Sequence, residues 1–427
     1  MSSWPEETVV ELQRAGVLLV EDGNHGEYRP RPDEFGDEGT FFIRAADIND
    51  GRVMFDRANA INDVALARIR KGIGRPNDIL FSHKGTVGKI ALVPEDAPPF
   101  VCSPQTTFWR VLQPDVLDRH FLHAYMRSWG FTKQWYVRKG ETDMADYVSL
   151  TTQRSLRVSL PPHQTQIQIA ALVAAYDELI ENNLRRIEIL EELAEAVYRE
   201  WFVNFRFPGH EDVVLVDSCL GPIPEGWEVV TVSDAVELNP RVRMPRDQEI
   251  RFVPMGSLIE GSMVIDGHET RTGPSGSQFR NGDTLLARIT PSLENGKTGF
   301  VQFLSETEVA SGSTEFIVMR SQTLTPEFVY LLARTDDLRG VAIKSMVGAS
   351  GRQRVQENSI ARYLFPHPDR STLQLFDEMT APMFRMVQSL VDQNANLRTT
   401  RDLLLPRLVS GEIDVSDLDI DTQWLAS

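Results

Sequence analysis

Apolar and polar positions alternate most regularly at 161–205. The stretch opens Leu160-Pro161-Pro162-His163-Gln164-Thr165-Gln166, and no further Pro or Gly occurs before Pro208. Inside it Ile169, Val173, Tyr176, Ile180, Asn183, Ile187, Leu190, Ala194, Val197 and Trp201 succeed one another in steps of four and three. That is the a/d seam of a heptad helix, whose 3.5-residue period keeps one stripe facing a partner. Glu181, Arg185, Glu188, Glu192, Glu195 and Arg199 take the opposite face, which is the solvated one. At 1.5 Å per residue such a helix is about 60 Å long, more than one small domain needs for its core.

A second helix of this kind is predicted near the C-terminus. From Leu373, the residues Phe376, Met383, Val387, Leu390, Asn394, Leu397, Leu404 and Leu408 repeat the spacing, with Thr380 and Arg401 as polar interruptions. Asn183 and Asn394 both fall on the apolar stripes, where a buried Asn costs stability but fixes register. Two long seams with nothing comparable elsewhere favour an antiparallel pair. Two separate amphipathic helices, each lying on its own globular domain, are the plain alternative.

The rest of the chain repeats itself. Asn77-Asp78-Ile79-Leu80-Phe81-Ser82 and Gly85-Thr86-Val87-Gly88-Lys89-Ile90-Ala91 in the first half answer Gly282-Asp283-Thr284-Leu285-Leu286-Ala287 and Asn295-Gly296-Lys297-Thr298-Gly299-Phe300-Val301 in the second. Asp78 and Asp283 are 205 residues apart, as are Pro161 and Pro366. Each repeat runs into one of the long helices. Short apolar strands between Gly, Pro and Asp turns predict a mainly-β unit. One helix is expected in each, at 118–129 and 326–335. The fold class is α+β: two repeated mainly-β domains separated by two long α-helices that form an antiparallel coiled coil. Residues 208–224 are expected to be an irregular linker, and 413–427 a poorly ordered acidic tail.

Composition is that of an ordinary soluble protein, 41% hydrophobic and 25% charged over 427 residues. No apolar run approaches a membrane span, and the N-terminal residues do not read as a signal peptide. Cys102 and Cys219, far apart, build neither a zinc site nor an expected disulfide, which points to the cytoplasm. The net charge of −17 argues against nucleic acid, but its distribution reopens the question. Residues 164–202 carry eight acids and three bases, and 411–427 five acids and no base. By contrast, 119–157 has seven bases against three acids, and 334–362 six against three.

No catalytic constellation emerges. Gly296-Lys297-Thr298 resembles the end of a phosphate-binding loop, but Pro291 stands where its first Gly belongs. The His residues lack metal-ligand spacing, Ser311-Gly312-Ser313 lacks a nucleophile-elbow context, and no methyltransferase motif is present. What remains are polar, basic loops at comparable places in the repeats. In the first these supply Lys84, Thr86, Lys89, Gln105, Arg138 and Lys139; in the second, Arg288, Thr290, Lys297, Ser350, Arg352, Gln353 and Arg354. Such side chains read base edges and hold phosphates, although exposed loops are polar in any case. Arg352 and Arg354, in a Gly/Ser loop, are the foremost candidates. No cofactor and no metal is expected on this chain.

The chain resembles the specificity subunits of type I restriction-modification systems along essentially its whole length. The resemblance is carried by Leu160-Pro161-Pro162-His163-Gln164, Ile180-Glu181-Asn182-Asn183, Tyr198-Arg199-Glu200-Trp201-Phe202-Val203-Asn204-Phe205, Ile223-Pro224-Glu225-Gly226-Trp227 and Leu403-Leu404-Leu405-Pro406-Arg407-Leu408-Val409-Ser410-Gly411-Glu412-Ile413. The first repeat departs in opening on Trp4-Pro5-Glu6, and the second in having Phe365-Pro366-His367-Pro368 before its helix. The resemblance implies a target-recognition domain at 1–162, a central helix at 163–207, a linker and second target-recognition domain at 208–367, a C-terminal helix at 368–411 and an acidic tail at 412–427. It implies double-stranded DNA as ligand, two methyltransferase subunits as partners and, where present, two restriction/translocase subunits. S-adenosylmethionine would then belong to the partner methyltransferase, and no membrane is involved. If the helical pair sets the unread spacer, one added heptad is worth about 10 Å, or about three base pairs. The rival readings are an enzyme fused to its own recognition domain and a coiled-coil adaptor that does not touch DNA.

Overall fold

The computed structural model describes residues 4–23, 26–49, 51–138, 146–244, 248–273, 275–349, 351–418, 420 and 422. The chain forms two units, Met1–Ile180 with Asn396–Ser427, and Glu181–Ala395.

In the first unit, Leu18–Asp22, Thr106–Val111, Ile79–Ser82, Ile90–Leu92, Gly51–Val53 and Ile48–Asn49 lie side by side in that order as a six-stranded sheet. A four-stranded sheet runs Phe100–Cys102, Thr40–Ile43, Ala60–Ile61, Phe35–Gly36. The strand Ile79–Ser82 is buried at every position, so its apolar run Ile79-Leu80-Phe81 fits a strand covered on both faces. Asp78 starts it: Arg110 donates Nε and Nη2 to the two carboxylate oxygens at 2.7 Å each, and the Arg75 N–H donates at 2.8 Å. Trp109, Phe81, Phe121 and Phe131 fill the core between sheet and helices.

The second unit repeats this plan. Val236–Leu238, Phe316–Ser321, Thr284–Ala287 and Thr298–Phe300 form one sheet, and Glu269–Thr272, Glu249–Val253, Val309–Gly312 and Ser277–Arg280 the other. Asp283 plays the part of Asp78, with Arg320 at 2.7 and 2.6 Å and the Arg280 N–H at 2.8 Å. Both domains contain a parallel pair at the same place, Phe41 with Phe100 and Phe252 with Ser311. Both also enter and leave on one antiparallel pair: Glu6–Thr8 with Arg157–Ser159, and Glu228–Thr231 with Leu364–His367.

Where one helix per repeat is expected, two follow each other, beside further short helices elsewhere in each domain. Arg119–Arg127 is followed by Trp129–Tyr136, and Pro326–Arg334 by Asp336–Lys344. Ser128 and Thr335 each end one helix and cap the next with a side-chain oxygen, a break that apolar periodicity does not reveal.

The long helices span His163–Tyr198, continued by a π-turn at Arg199–Val203, and Arg370–Val409. In the first unit Gln168 donates to the carbonyls of Ser416 and Leu418, while Asp177 binds Arg401. In the second, Asn183 meets Asn394 and the Tyr198 ring lies 6.3 Å from Phe376. In each unit the partner's number falls as the residue number rises, so the helices are antiparallel. Ile169, Val173, Ile180, Ile187, Ala194 and Trp201 of the seam are buried.

Two further expectations are corrected. The segment after Pro208 contains a hairpin, Leu215–Ser218 with Gly221–Pro224, closed by Ser218 Oγ donating to the Gly221 carbonyl at 2.5 Å. Beside it Phe207 stacks on Trp227 at 5.3 Å. The acidic tail is not loose at its start: Val415 is buried with Leu405, Leu408 and Val409, because Ile413 and Val415 supply apolar contacts among the carboxylates.

Candidate nucleic-acid interface

Both domains build one backbone frame beyond their fully buried strand. In the first, the His83 N–H donates to the Gln105 carbonyl at 2.9 Å, and the His83 carbonyl accepts from Val148 at 2.8 Å. In the second, the Arg288 N–H donates to the Glu315 carbonyl at 2.9 Å, and its carbonyl accepts from Val355 at 2.9 Å. Two residues on, Gly85 donates to Asp146 at 3.0 Å and Thr290 to Gln353 at 3.1 Å. Lys84 faces Tyr147 across a β-bridge, as Ile289 faces Arg354. The turn at the third edge matches too, since Ser103 Oγ accepts from the Gln105 N–H and Ser313 Oγ from the Glu315 N–H, both at 3.2 Å. Backbone bonds fix the frame, which leaves its side chains free to vary.

They do vary. The first frame holds His83, Lys84, Gln105 and Tyr147; the second Arg288, Ile289, Glu315 and Arg354. His83 is buried, with Nδ1 3.2 Å from the Val148 carbonyl, and its ring lies 5.4 Å from Tyr147. Lys84 Nζ sits 5.9 Å from the Tyr147 ring. Burial, and secondarily the charge of Asp22, push the Tyr147 hydroxyl upward from its ordinary pKa. Gly85, at φ +78°, turns the chain here, and Gln105 Nε2 lies 3.6 Å from where a Cβ on it would stand. Lys84 and Gln105 line a cavity of about 320 Å³ together with Arg29, Phe35, Phe42 and Arg44.

In the second frame Arg354 donates Nη2 to Glu315 Oε1 at 2.5 Å and Nε to Oε2 at 2.9 Å. The Arg354 hydrogen bond holds the Glu315 carboxyl below the usual carboxylate range against the opposing effect of burial, and the charges of Arg354 and Arg288 add to it. Arg288 Nη2 reaches the Val355 carbonyl at 3.4 Å, while its buried Nε has no partner among the described residues.

The other predicted site residues disperse. Thr86 is exposed in the Lys84 turn. Lys89 instead lines a separate cavity of about 460 Å³ with Arg127, Trp129 and Arg401. Near it, burial and the charge of Arg127 bring His123 down to about 3. Arg138 donates to Ser155 Oγ at 2.9 Å. The Thr290 hydroxyl contacts Met346 Sδ at 3.5 Å, and Lys297 pairs with Glu260 across a β-bridge. Gln353 contributes its carbonyl to the frame. Arg352 stands exposed at the loop tip, its side chain unbonded among the described residues, whereas Arg354 is tied to Glu315. Lys139 and Ser350 lie outside the described residues. Beyond the predicted side chains, the frames and the cavity beside Lys84 bring in His83, from the predicted 82–86 loop, and Tyr147, Glu315, Arg29 and Arg44, which sequence reasoning did not single out. The shared Ser-x-(Gln/Glu) spacing of Ser103-Pro104-Gln105 and Ser313-Thr314-Glu315 is the signal that could have found Glu315.

Among the described residues no cluster of His, Cys, Asp and Glu is arranged to hold a metal ion, and no helix is long and apolar enough to cross a membrane. A family model described as the type I restriction modification DNA specificity domain matches residues 26–192. The specificity subunit of the type I restriction enzyme MjaIX from Methanocaldococcus jannaschii is 25% identical over 374 residues, covering 84% of this chain and 82% of that protein. The HindI specificity subunit of Haemophilus influenzae is 21% identical over 445 residues, covering 87% and 94%. In fold, the chain is similar to the crystal structure of the type I restriction-modification S subunit from M. genitalium, at TM-score 0.51 and 12% identity, over 95% of this chain and 96% of that one.

Proposed function

The chain belongs to the specificity subunits of type I restriction-modification systems and is a DNA sequence-recognition subunit; on that premise we propose that each β domain reads one half of a split duplex target. The observation that carries this reading is the repeated frame, one backbone arrangement with different exposed polar side chains in each domain. A duplex with two unlike half-sites calls for such a pair, because backbone geometry sets the approach and side chains set the sequence. The chain supplies recognition, and methyl transfer to adenine, with any cleavage, falls to partner subunits. The acidic outer faces of the long helices suit those protein partners better than a polyanion. Two methyltransferase subunits, one for each half-site, and S-adenosylmethionine bound by them complete the proposal.

The test is a genome-wide map of methylated bases in cells carrying the chain with its partner methyltransferase, against the same cells with the chain deleted. Loss of one split, gapped motif is the expected result. Persistence of every motif would overturn the reading and leave an adaptor that does not read DNA.

A further inference from the structure

The two frames differ at two facing places, where Gln105 and Tyr147 in the first stand in for Glu315 and Arg354 in the second. We propose that Gln105 and Arg354 are specificity-determining residues, Gln105 reading an adenine in one half-site and Arg354 a guanine in the other, with Glu315 positioning Arg354. This rests on the reading of the chain as a DNA-recognition subunit.

Gln105 is exposed at the rim of the cavity it shares with Lys84. Its backbone is held by Ser103 Oγ and His83, yet its side-chain amide makes no hydrogen bond among the described residues. That amide offers a donor and an acceptor side by side. Adenine presents the complement, the N6 amino group and N7, on its major-groove edge. Lys84 beside it supplies a cation for the flanking phosphate.

In the second frame the free edge belongs to a different residue. Glu315 takes the side edge of the Arg354 guanidinium, through Nε and Nη2. The end edge, Nη1 and the remaining Nη2 hydrogen, stays open, and the Arg354 side chain is 47% exposed against 21% for Glu315. An end-on guanidinium donates two parallel hydrogen bonds to guanine O6 and N7. Glu315 fixes the plane of that fork beforehand, and Arg288 and Arg354 compensate a carboxylate that would otherwise be repelled by phosphate. The first frame has Tyr147 at the Arg354 place and Gln105 at the Glu315 place, so it cannot make this buttressed fork.

The experiment maps methylated motifs in cells carrying the full chain with its partner methyltransferase, comparing wild type with Gln105→Ala, Arg354→Lys and Glu315→Gln. Gln105→Ala is expected to relax one adenine position in one half-site. Arg354→Lys keeps the charge and loses the fork, so it is expected to relax one guanine position in the other half-site by about tenfold or more. Glu315→Gln is expected to relax that same guanine position, an effect that a merely structural role would not confine to one base. An unaltered motif with both Gln105→Ala and Arg354→Lys overturns the assignment, as does relaxation at other bases or in both half-sites. These failures leave the recognition reading intact, whereas a wild-type chain that directs no split motif would sink both. Melting of each purified variant complex identifies a folding defect, and the charge-conserving Arg354→Lys then carries the decision.

Discussion

Asn183 Nδ2 donates to Asn394 Oδ1 at 3.0 Å, both side chains buried in a seam whose other positions are mostly apolar. The pair forms in one alignment of the two helices and is lost in any slipped one. Asn183→Leu removes the donor to Asn394 Oδ1 and puts a methyl group beside that oxygen, and is expected to cost about 1–3 kcal/mol. The double change Asn183→Leu with Asn394→Leu removes both amides of the pair and should cost less than the two single changes added together. Denaturation midpoints of the two variants decide it, and additive losses would show that the amides are not coupled.

Asp177 receives Arg127 Nη1 at 2.5 Å and also binds Arg401, so one carboxylate serves two largely buried guanidiniums. Asp177→Asn leaves both cations facing a neutral amide, an expected loss of about 3 kcal/mol. Burial pushes the Asp177 pKa up, but the Arg127 hydrogen bond and charge, then those of Arg401, bring it below the ordinary value. A depressed carboxyl stabilises above its unfolded pKa and loses that contribution as pH falls through the folded one. Melting temperature should therefore drop on acidification below the ordinary Asp range, with a shallower drop in Asp177→Asn.

Asp369 starts the C-terminal helix, accepting from the Thr372 N–H at 3.0 Å, the Thr372 hydroxyl at 2.7 Å and Trp227 Nε1 at 3.2 Å. Burial opposes ionisation there, but hydrogen bonds from Ser371 and Thr372 win and hold the carboxyl down to about 2. Asp369→Ala is expected to cost about 1 kcal/mol through the lost cap. With the folded value below the ordinary 3.8, the contribution is present above that pH and disappears as pH falls towards 2. An alanine variant with unchanged melting at neutral pH would rule out the cap.

Arg352 stands exposed at the loop tip with its guanidinium unbonded among the described residues. Arg352→Ala is expected to weaken one half-site only, and to lower the salt dependence of binding by about one ion if it holds a phosphate. Affinity titrations at two salt concentrations on single half-site mutants check this; equal loss at both halves would make Arg352 a folding residue.

The long helices and the repeat were legible because they are periodic: Ile169 to Trp201 state a heptad outright, and Asp78 and Asp283 mark the same turn. The frame was not, because its bonds join residues far apart in sequence. His83 reaches Gln105, and Glu315 reaches Arg354 across 39 positions. Neighbouring arginines therefore met different fates. Arg352 meets no side-chain partner among the described residues, while Arg354, two residues on and in an equally polar loop, is claimed by a carboxylate that local composition cannot announce. The hairpin at Leu215–Ser218 was hidden for a related reason, since Pro222 and Pro224 read as breakers yet sit on a short strand pair where few N–H groups are needed.

Each β domain begins and ends on adjoining antiparallel strands, Glu7 beside Val158 in one and Val229 beside Pro366 in the other. Its two chain ends thus lie next to each other, and nothing between them has to be threaded. A foreign block that starts and finishes on such a pair inherits the same anchor. If each domain reads one half-site as proposed, exchanging a whole block between these strands would change that half of the target and leave the rest of the chain in place.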